Sequence, residues 1–262
     1  RRSTIKKPKI LVTGSEGFIG SPITKELLKK KYDVYGIGTK KRNITNYKYF
    51  SLDLLNKKNL YVFFKKHNFE SIIHTAWVTN PNTMRHSKYN EKWLKISKII
   101  LDLHISNNGK KFYCIGTSDE YKRIKNIANY CVENKSKIMN LNNYAKNKIL
   151  FYDYLKSKKI QFVWFRVFWL FGDKEKKQRL FPQIIQKLEN RKIAQIDNPE
   201  IGLDYTNVKY AAKMIVKVIS NKKTRGVFNI CSGKILKIRK IAEKIGQLMN
   251  KKRYLIFLKS KT

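Results

Sequence analysis

Apolar residues recur along this chain in short continuous runs, separated by longer stretches with a helical period. KILVTG (9–14) is the first run, and it ends in glycine. A helical pattern follows from about Phe18 to Lys30, with Leu27 and Leu28 on its inner side. DVYGI (33–37), KYFSLD (48–53), SIIHTA (71–76) and KKFYCIGT (110–117) are the next runs. Between them NLYVFFKKHN reads as a helix, as does a longer stretch from about Ser87 to Ser106. After an irregular polar segment, 141–158 is helical and 160–170 forms one further strand. Continuous apolar runs bounded by turn signals fit strands buried on both faces. Such strands alternating with helices predict a parallel sheet covered on both sides. Past Gly172 the pattern changes to helix 180–190, a short extended piece, helix 207–220, strand 226–231 and helix 237–249. The expectation is an α/β fold: a doubly wound parallel sheet over 1–172, and a smaller α/β C-terminal lobe over 173–262 for substrate, with no linker between them.

LVTGSEGFIG sets Gly14, Gly17 and Gly20 between the first strand and the first helix. This spacing lets the backbone turn tightly and approach a pyrophosphate, while the helix start offers N–H groups and a positive dipole end. The strand–turn–helix context makes the loop a dinucleotide-binding signal and the first domain a Rossmann-type one.

NNYAKNKILFYDYLKSKK (142–159) holds three Tyr-x-x-x-Lys pairs: Tyr144 with Lys148, Tyr152 with Lys156 and Tyr154 with Lys158. Residues four apart share a helix face, so each pair could act as a proton-transfer unit. Tyr61, Tyr121 and Tyr205 also precede a lysine by four. In so lysine-rich a chain the spacing alone leaves all six open.

The glycine loop resembles that of the extended short-chain dehydrogenase/reductase family, and the resemblance runs on from about residue 9 to 249. Asp53-Leu54 matches the acidic position after the third strand, and His74-Thr75-Ala76 the segment under the cofactor. HTAWVTNP followed by Asn90-x-x-Trp93 looks like a nucleotide-sugar epimerase/dehydratase-like subgroup. GTSDEY (116–121) matches the end of the fifth strand, where the family has its catalytic Ser or Thr. LDYTNV and FNICSG match two segments of the substrate lobe. The family's acid/base Tyr opens the helix after the fifth strand. Tyr144 stands 27 residues past Thr117 (144 − 117 = 27), in the context Tyr-Ala-x-x-Lys.

The resemblance therefore implies a catalytic set of Thr117, Tyr144 and Lys148, with Ser118 able to stand in for Thr117. A free phenol has a pKa of ~10, and the Lys148 ammonium together with an oxidised nicotinamide would favour the phenolate. Lys148 would also bond the nicotinamide ribose. The expected cofactor contacts are Gly14, Glu16, Gly17, Phe18, Ile19 and Gly20 in the loop, Thr39, Lys40 and Arg42 after the second strand, then Asp53, Leu54, Thr75, Ala76 and Trp77. Thr79, Ser118 and Arg179 are the substrate candidates. The family's phosphate-gripping Arg before Asp204-Tyr205 is replaced by Leu203.

NAD-binding relatives carry an acid at the end of the second strand. Here that strand ends Gly36-Ile37-Gly38-Thr39 and runs into Lys40-Lys41-Arg42, which points to NADP, with NAD as the other option. The leading expectation is an NADP-dependent reductase of a nucleotide-linked 4-keto-6-deoxy sugar. A nucleotide-sugar 4-epimerase is the alternative, and a non-catalytic dinucleotide-binding module a second one. Dehydratases add an Asp-Glu pair directly after the Thr, which Ser118 displaces by one here.

Charge changes this picture little. Lys and Arg number 58 against 18 Asp and Glu, a net +40, yet the lysines are spread over the whole length. Lys outnumbers Arg, and Asn and Ile are abundant, as AT-rich codons produce. Any nucleic-acid binding is expected to be non-specific. The most apolar stretch, 162–171, is interrupted by Arg166 and too short for a membrane helix. Cys114, Cys131 and Cys231 show neither disulfide nor metal spacing, which suits a reducing cytoplasm and no metal. A homodimer through the helices at 87–106 and 141–158 is expected, as is a truncated or reduced second lobe.

Overall fold

The computed structural model describes residues 8–78, 80–122, 131–133, 135–139 and 142–258. The first layer alternates strand and helix except that β3 follows β2 directly: β1 (Lys9–Thr13), α1 (Gly20–Lys29), β2 (Asp33–Gly38), β3 (Lys48–Ser51), α2 (Lys57–Lys66), β4 (Ser71–His74), α3 (Tyr89–Ser106), β5 (Lys111–Thr117), α4 (Asn143–Lys156) and β6 (Gln161–Val167). The chain continues through β7 (Trp169–Phe171), α5 (Leu180–Glu189), β8 (Ala194–Ile196), β9 (Gly202–Asn207), α6 (Val208–Ser220), β10 (Gly226–Ile230), β11 (Ile235–Lys237), α7 (Ile238–Leu248) and β12 (Leu255–Phe257).

Seven parallel strands form the central sheet in the order β10-β6-β5-β4-β1-β2-β3. The order reverses between β1 and β4, which opens a crevice at the carboxyl ends of those strands. Successive β1 residues serve opposite faces. Ile10 and Val12 pack with Ile23 and Leu27 of α1 and Ile215 of α6. Leu11 packs on the other side, in a cluster with Leu60 of α2, Ile100 of α3 and Phe151 of α4. Burial on both faces explains why the strands read as unbroken apolar runs. Helix ends follow local chemistry. Asn56 and Asn142 cap α2 and α4 by accepting from backbone N–H groups, and Lys31 and Asn108 adopt positive φ just past α1 and α3.

Two elements past residue 172 are built into this first layer. β10 pairs in parallel with β6, and α6 packs on α1. Their apolar faces complete the core cluster on the α1 side, so tertiary burial draws them back. The single strand expected over 160–170 is two. β6 stays in the main sheet, and β7 leaves it after Phe168 to pair with β9. Both pieces are apolar, so no local signal marks the break. The remaining lobe has its own small core around Ile184, Leu188, Ile196 and Ala242.

Candidate active site

A cleft of about 940 Å³ runs over the carboxyl ends of the strands, from the glycine loop to the second lobe. The loop forms its floor. Gly14 has φ +70°, and a Cβ there would lie 3.0 Å from Thr75 Oγ1. At Gly20 a Cβ would stand 2.1 Å from the Gly14 carbonyl oxygen, so only glycine lets the helix start so close to the strand end. No side chain caps α1, and no acid occupies its first turn. The helix start therefore meets the charge requirement of a pyrophosphate, and the loop residues fit a dinucleotide.

His74 ties the floor together. Its ring lies between Thr13 Oγ1 and Ser97 Oγ, each at 2.8 Å. Thr75 Oγ1 donates to Thr13 O at 2.7 Å. Burial first, and the Lys148 charge second, push the imidazole down to about 3.

Thr117, Tyr144 and Lys148 come together on this cleft, with Ser118 beside them. Thr117 ends β5, and its Oγ1 accepts from Asp119 N at 3.2 Å, which leaves the hydroxyl proton available. Lys148 is 2% exposed; it donates to Ile115 O at 2.7 Å and lies 3.8 Å from the Trp77 ring centroid. Burial pushes its ammonium down to about 8. The Tyr144 phenol is pushed the other way from the sequence expectation. Burial, followed by the Asp119 and Glu120 carboxylates, raises it above the ordinary tyrosine range. Lys148, 5.7 Å from the Tyr144 ring centroid, does not offset them. The chain by itself thus holds Tyr144 protonated.

The other pairs of 142–159 have different work. Tyr154 donates to Asp102 Oδ2 on α3 at 2.7 Å, and Tyr152 packs on Trp164. Neither lines the cleft. Tyr121 bonds Asn229 and accepts from Arg166, and Tyr61 is exposed on α2. Tyr205 does reach the cleft, on its second-lobe side, next to Phe181 and Trp169.

The remaining expected cofactor residues line the same cleft, with one exception. Asp53 is exposed and off the lining; its Oδ1 accepts from Leu55 N at 3.0 Å and shapes the turn before α2. Leu54, its neighbour, is the residue that faces in. Thr79 lies outside the described residues. Arg179 is on the lining, paired with the largely buried Glu175 at 3.1 Å. Leu203 packs instead against the second lobe's core.

Sequence reasoning missed Arg85 and Asp119. Arg85 Nε donates to Asp119 Oδ2 at 3.0 Å and its guanidinium lies over the Trp169 ring. Asn142 donates to the same carboxylate oxygen. Glu120, by contrast, is turned away from the cleft. It accepts from Thr117 N, Trp164 and the buried Arg166, the last at 2.7 Å. The quoted motifs also acquire reasons. Trp77 donates to the buried Asn90 and stacks on Trp93. Asp204 of LDYTNV accepts from Ser232 and Gly233 of the CSG turn. Among the described residues, no group of three or more His, Cys, Asp or Glu could hold a metal ion.

Residues 10–231 match the family described as the NAD dependent epimerase/dehydratase family. A dTDP-D-glucose 4,6-dehydratase of Dictyostelium discoideum is 26% identical over 212 residues, 70% of this chain and 49% of that protein. The chain thus spans about half the length of that relative. The UDP-N-acetylglucosamine 4-epimerase of Methanobrevibacter ruminantium, solved with UDP-N-acetylmuramic acid, superposes with a TM-score of 0.82 at 22% identity, covering 98% of this chain and 87% of that one. The UDP-glucuronic acid 4-epimerase of Bacillus cereus, solved with UDP-glucuronic acid and NAD, gives 0.82 at 23% identity over 96% and 86%. At these identities the likeness to solved structures carries the fold.

Proposed function

This chain belongs to the NAD dependent epimerase/dehydratase family, and on that premise we propose that it transfers hydride at a carbinol carbon of a nucleotide-linked sugar, with 4-epimerisation as the outcome. The observation that carries the reading is the convergence of Thr117, Tyr144 and Lys148 with the glycine loop on one cleft. The nicotinamide, when bound, supplies the hydride acceptor and donor. Thr117 donates its free hydroxyl proton to the substrate oxygen and orients it. Tyr144 exchanges the proton of that oxygen as the carbon is oxidised and reduced. Lys148, fixed to Ile115 O, has ammonium protons left for a ribose hydroxyl and keeps positive charge near the phenol. Residues 173–262 contribute Arg179 and Tyr205 to the substrate side.

Elimination of water is the less favoured chemistry. It needs a base at one carbon and an acid at the leaving hydroxyl. Beside Thr117 the cleft offers the Asp119 carboxylate, which Arg85 and Asn142 already hold, while Glu120 is committed to Arg166. Net reduction of a 4-keto-6-deoxy sugar uses the same three groups, and the basic residues Lys40 and Arg42 favour it if NADP is the cofactor. We place the enzyme in the cytoplasm as a homodimer through α3 and α4. Its three cysteines are free, and among the described residues no helix is long and apolar enough to cross a membrane.

The test is incubation of the cofactor-loaded protein with uridine and thymidine diphosphate hexoses, read by proton NMR. An inverted C4 centre with no net change in reduced cofactor supports epimerisation. One reduced cofactor consumed per sugar identifies the reductase. A protein that binds cofactor yet converts no nucleotide sugar refutes the proposal.

A further inference from the structure

We propose that Glu16 supplies the carboxylate that selects NAD over NADP, reaching the adenosine ribose from the glycine loop instead of from the end of β2. The inference rests on the dinucleotide reading above. In a doubly wound sheet the adenosine ribose lies at the carboxyl end of β2, beside that loop. Glu16 lines this end of the cleft together with Thr39, Lys40 and Arg42. Its side chain is 21% exposed, against 44% for Arg42, and Arg42 Nε stands 4.0 Å from Glu16 Oε2.

The carboxylate is held by a dedicated contact. Tyr47, from the segment between β2 and β3, donates to Glu16 Oε1 at 2.6 Å. Tyr47 can lie there because position 36 is glycine. A Cβ at Gly36 would come within 2.5 Å of Tyr47 Cε2 and 2.4 Å of Ser15 Oγ. Burial, and then the bond to Glu16, push the Tyr47 hydroxyl above the ordinary tyrosine range, so it remains a donor. Gly36, Tyr47 and Glu16 therefore form one unit, with the acid fixed and Arg42 at its outer side.

A ribose 2′-hydroxyl can donate to the fixed carboxylate and leave Arg42 where it is. A 2′-phosphate brings a charge of about −1.5 to −2 to the same place. It would meet the remaining guanidinium protons of Arg42 and the Lys40 ammonium, but it would also stand beside the fixed Glu16 carboxylate, which repels it. The anchored acid thus outweighs the solvated base, and the missing acid at the end of β2 is replaced from a different element. The basic run after β2, read from the sequence alone, pointed to NADP.

The experiment is isothermal titration of NAD⁺ and NADP⁺ into the wild-type chain, Glu16→Gln and Arg42→Ala, at physiological salt. Low salt would let a +40 chain attract any extra phosphate. The expected result is NAD⁺ tighter by at least about tenfold in the wild type. Glu16→Gln should shrink that ratio to within about threefold, chiefly by strengthening NADP⁺. Arg42→Ala should keep the preference for NAD⁺. Wild-type binding of NADP⁺ as tight as NAD⁺, or an unchanged ratio in Glu16→Gln, overturns the inference and leaves the dinucleotide reading intact. Failure of the wild type to bind either dinucleotide refutes that reading and this inference with it.

Discussion

Acid should loosen the floor of the cleft through His74, by an amount that follows from its surroundings. Ser97 Oγ spends its proton on Trp93 O at 2.7 Å, so His74 Nε2 must be the donor to Ser97. Nδ1 is then the acceptor for the Thr13 hydroxyl, which in turn accepts from Ala76 N. A second ring proton would have to sit on Nδ1, facing the Thr13 proton, in a fully buried site. Hence the folded imidazole gains its proton only at about 3, whereas the unfolded one does so near 6.5. Between those values the unfolded state binds more protons, so stability falls as pH drops from 6.5 and levels off below the folded value. From pH ~7.5 to pH ~5 the loss is about 2 kcal/mol, at about 1.36 kcal/mol per pH over roughly 1.5 pH. That figure does not depend on where the folded value lies, provided it is below ~4. His104, pushed down to about 4 by burial, adds a similar slope that a variant comparison cancels. The assay is urea unfolding of the wild type and His74→Gln at both pH values. Gln can still donate to Ser97 and does not titrate. The variant should be less stable near pH 7.5, and the gap should shrink by about 2 kcal/mol near pH 5. An equal gap at both pH values would refute the buried, single-tautomer account.

Tyr144→Phe should lower turnover by about 10² to 10⁴ while leaving dinucleotide affinity within a few-fold, whereas Tyr152→Phe and Tyr154→Phe should keep near-normal rates. Single-turnover kinetics on the substrate found by NMR decides this, and wild-type rates in Tyr144→Phe would end the assignment. Gly20→Ala places a methyl against the Gly14 carbonyl and should weaken dinucleotide binding at least about tenfold by titration. Unaltered affinity would mean that the loop does not cradle the cofactor. Arg166→Met leaves Glu120 buried without its partner and should cost about 3 to 5 kcal/mol in urea unfolding, far more than loss of the surface pair Lys29–Glu26.

The layered α/β order was legible because both faces of the sheet are covered, and burial on both faces writes itself as unbroken apolar runs. The glycine loop was legible for a similar reason: Gly14 holds a φ of +70° and a Cβ at Gly20 would collide with the Gly14 carbonyl, so the constraint stands in the residue types. Tyr144 could be separated from five look-alike tyrosines only by its distance from Thr117 along a recognised order of motifs. Other features depended on partners far along the chain. Asp53 is read from the motif order as a cofactor contact, whereas the structure shows its carboxylate accepting from Leu55 N in its own turn. β10 read as part of a separate lobe, yet its strand edge and apolar residues complete the first sheet. Arg85 meets Asp119 across 34 positions, and Tyr47 meets Glu16 across 31. Periodicity records which side of an element is buried, and glycine spacing records where backbones touch. Neither records which distant side chain arrives opposite a given carboxylate. The raising of the Tyr144 phenol, by burial first and the Asp119 carboxylate second, and the fixing of Glu16 by Tyr47 were therefore decided by tertiary packing, which brings together groups far apart in the sequence.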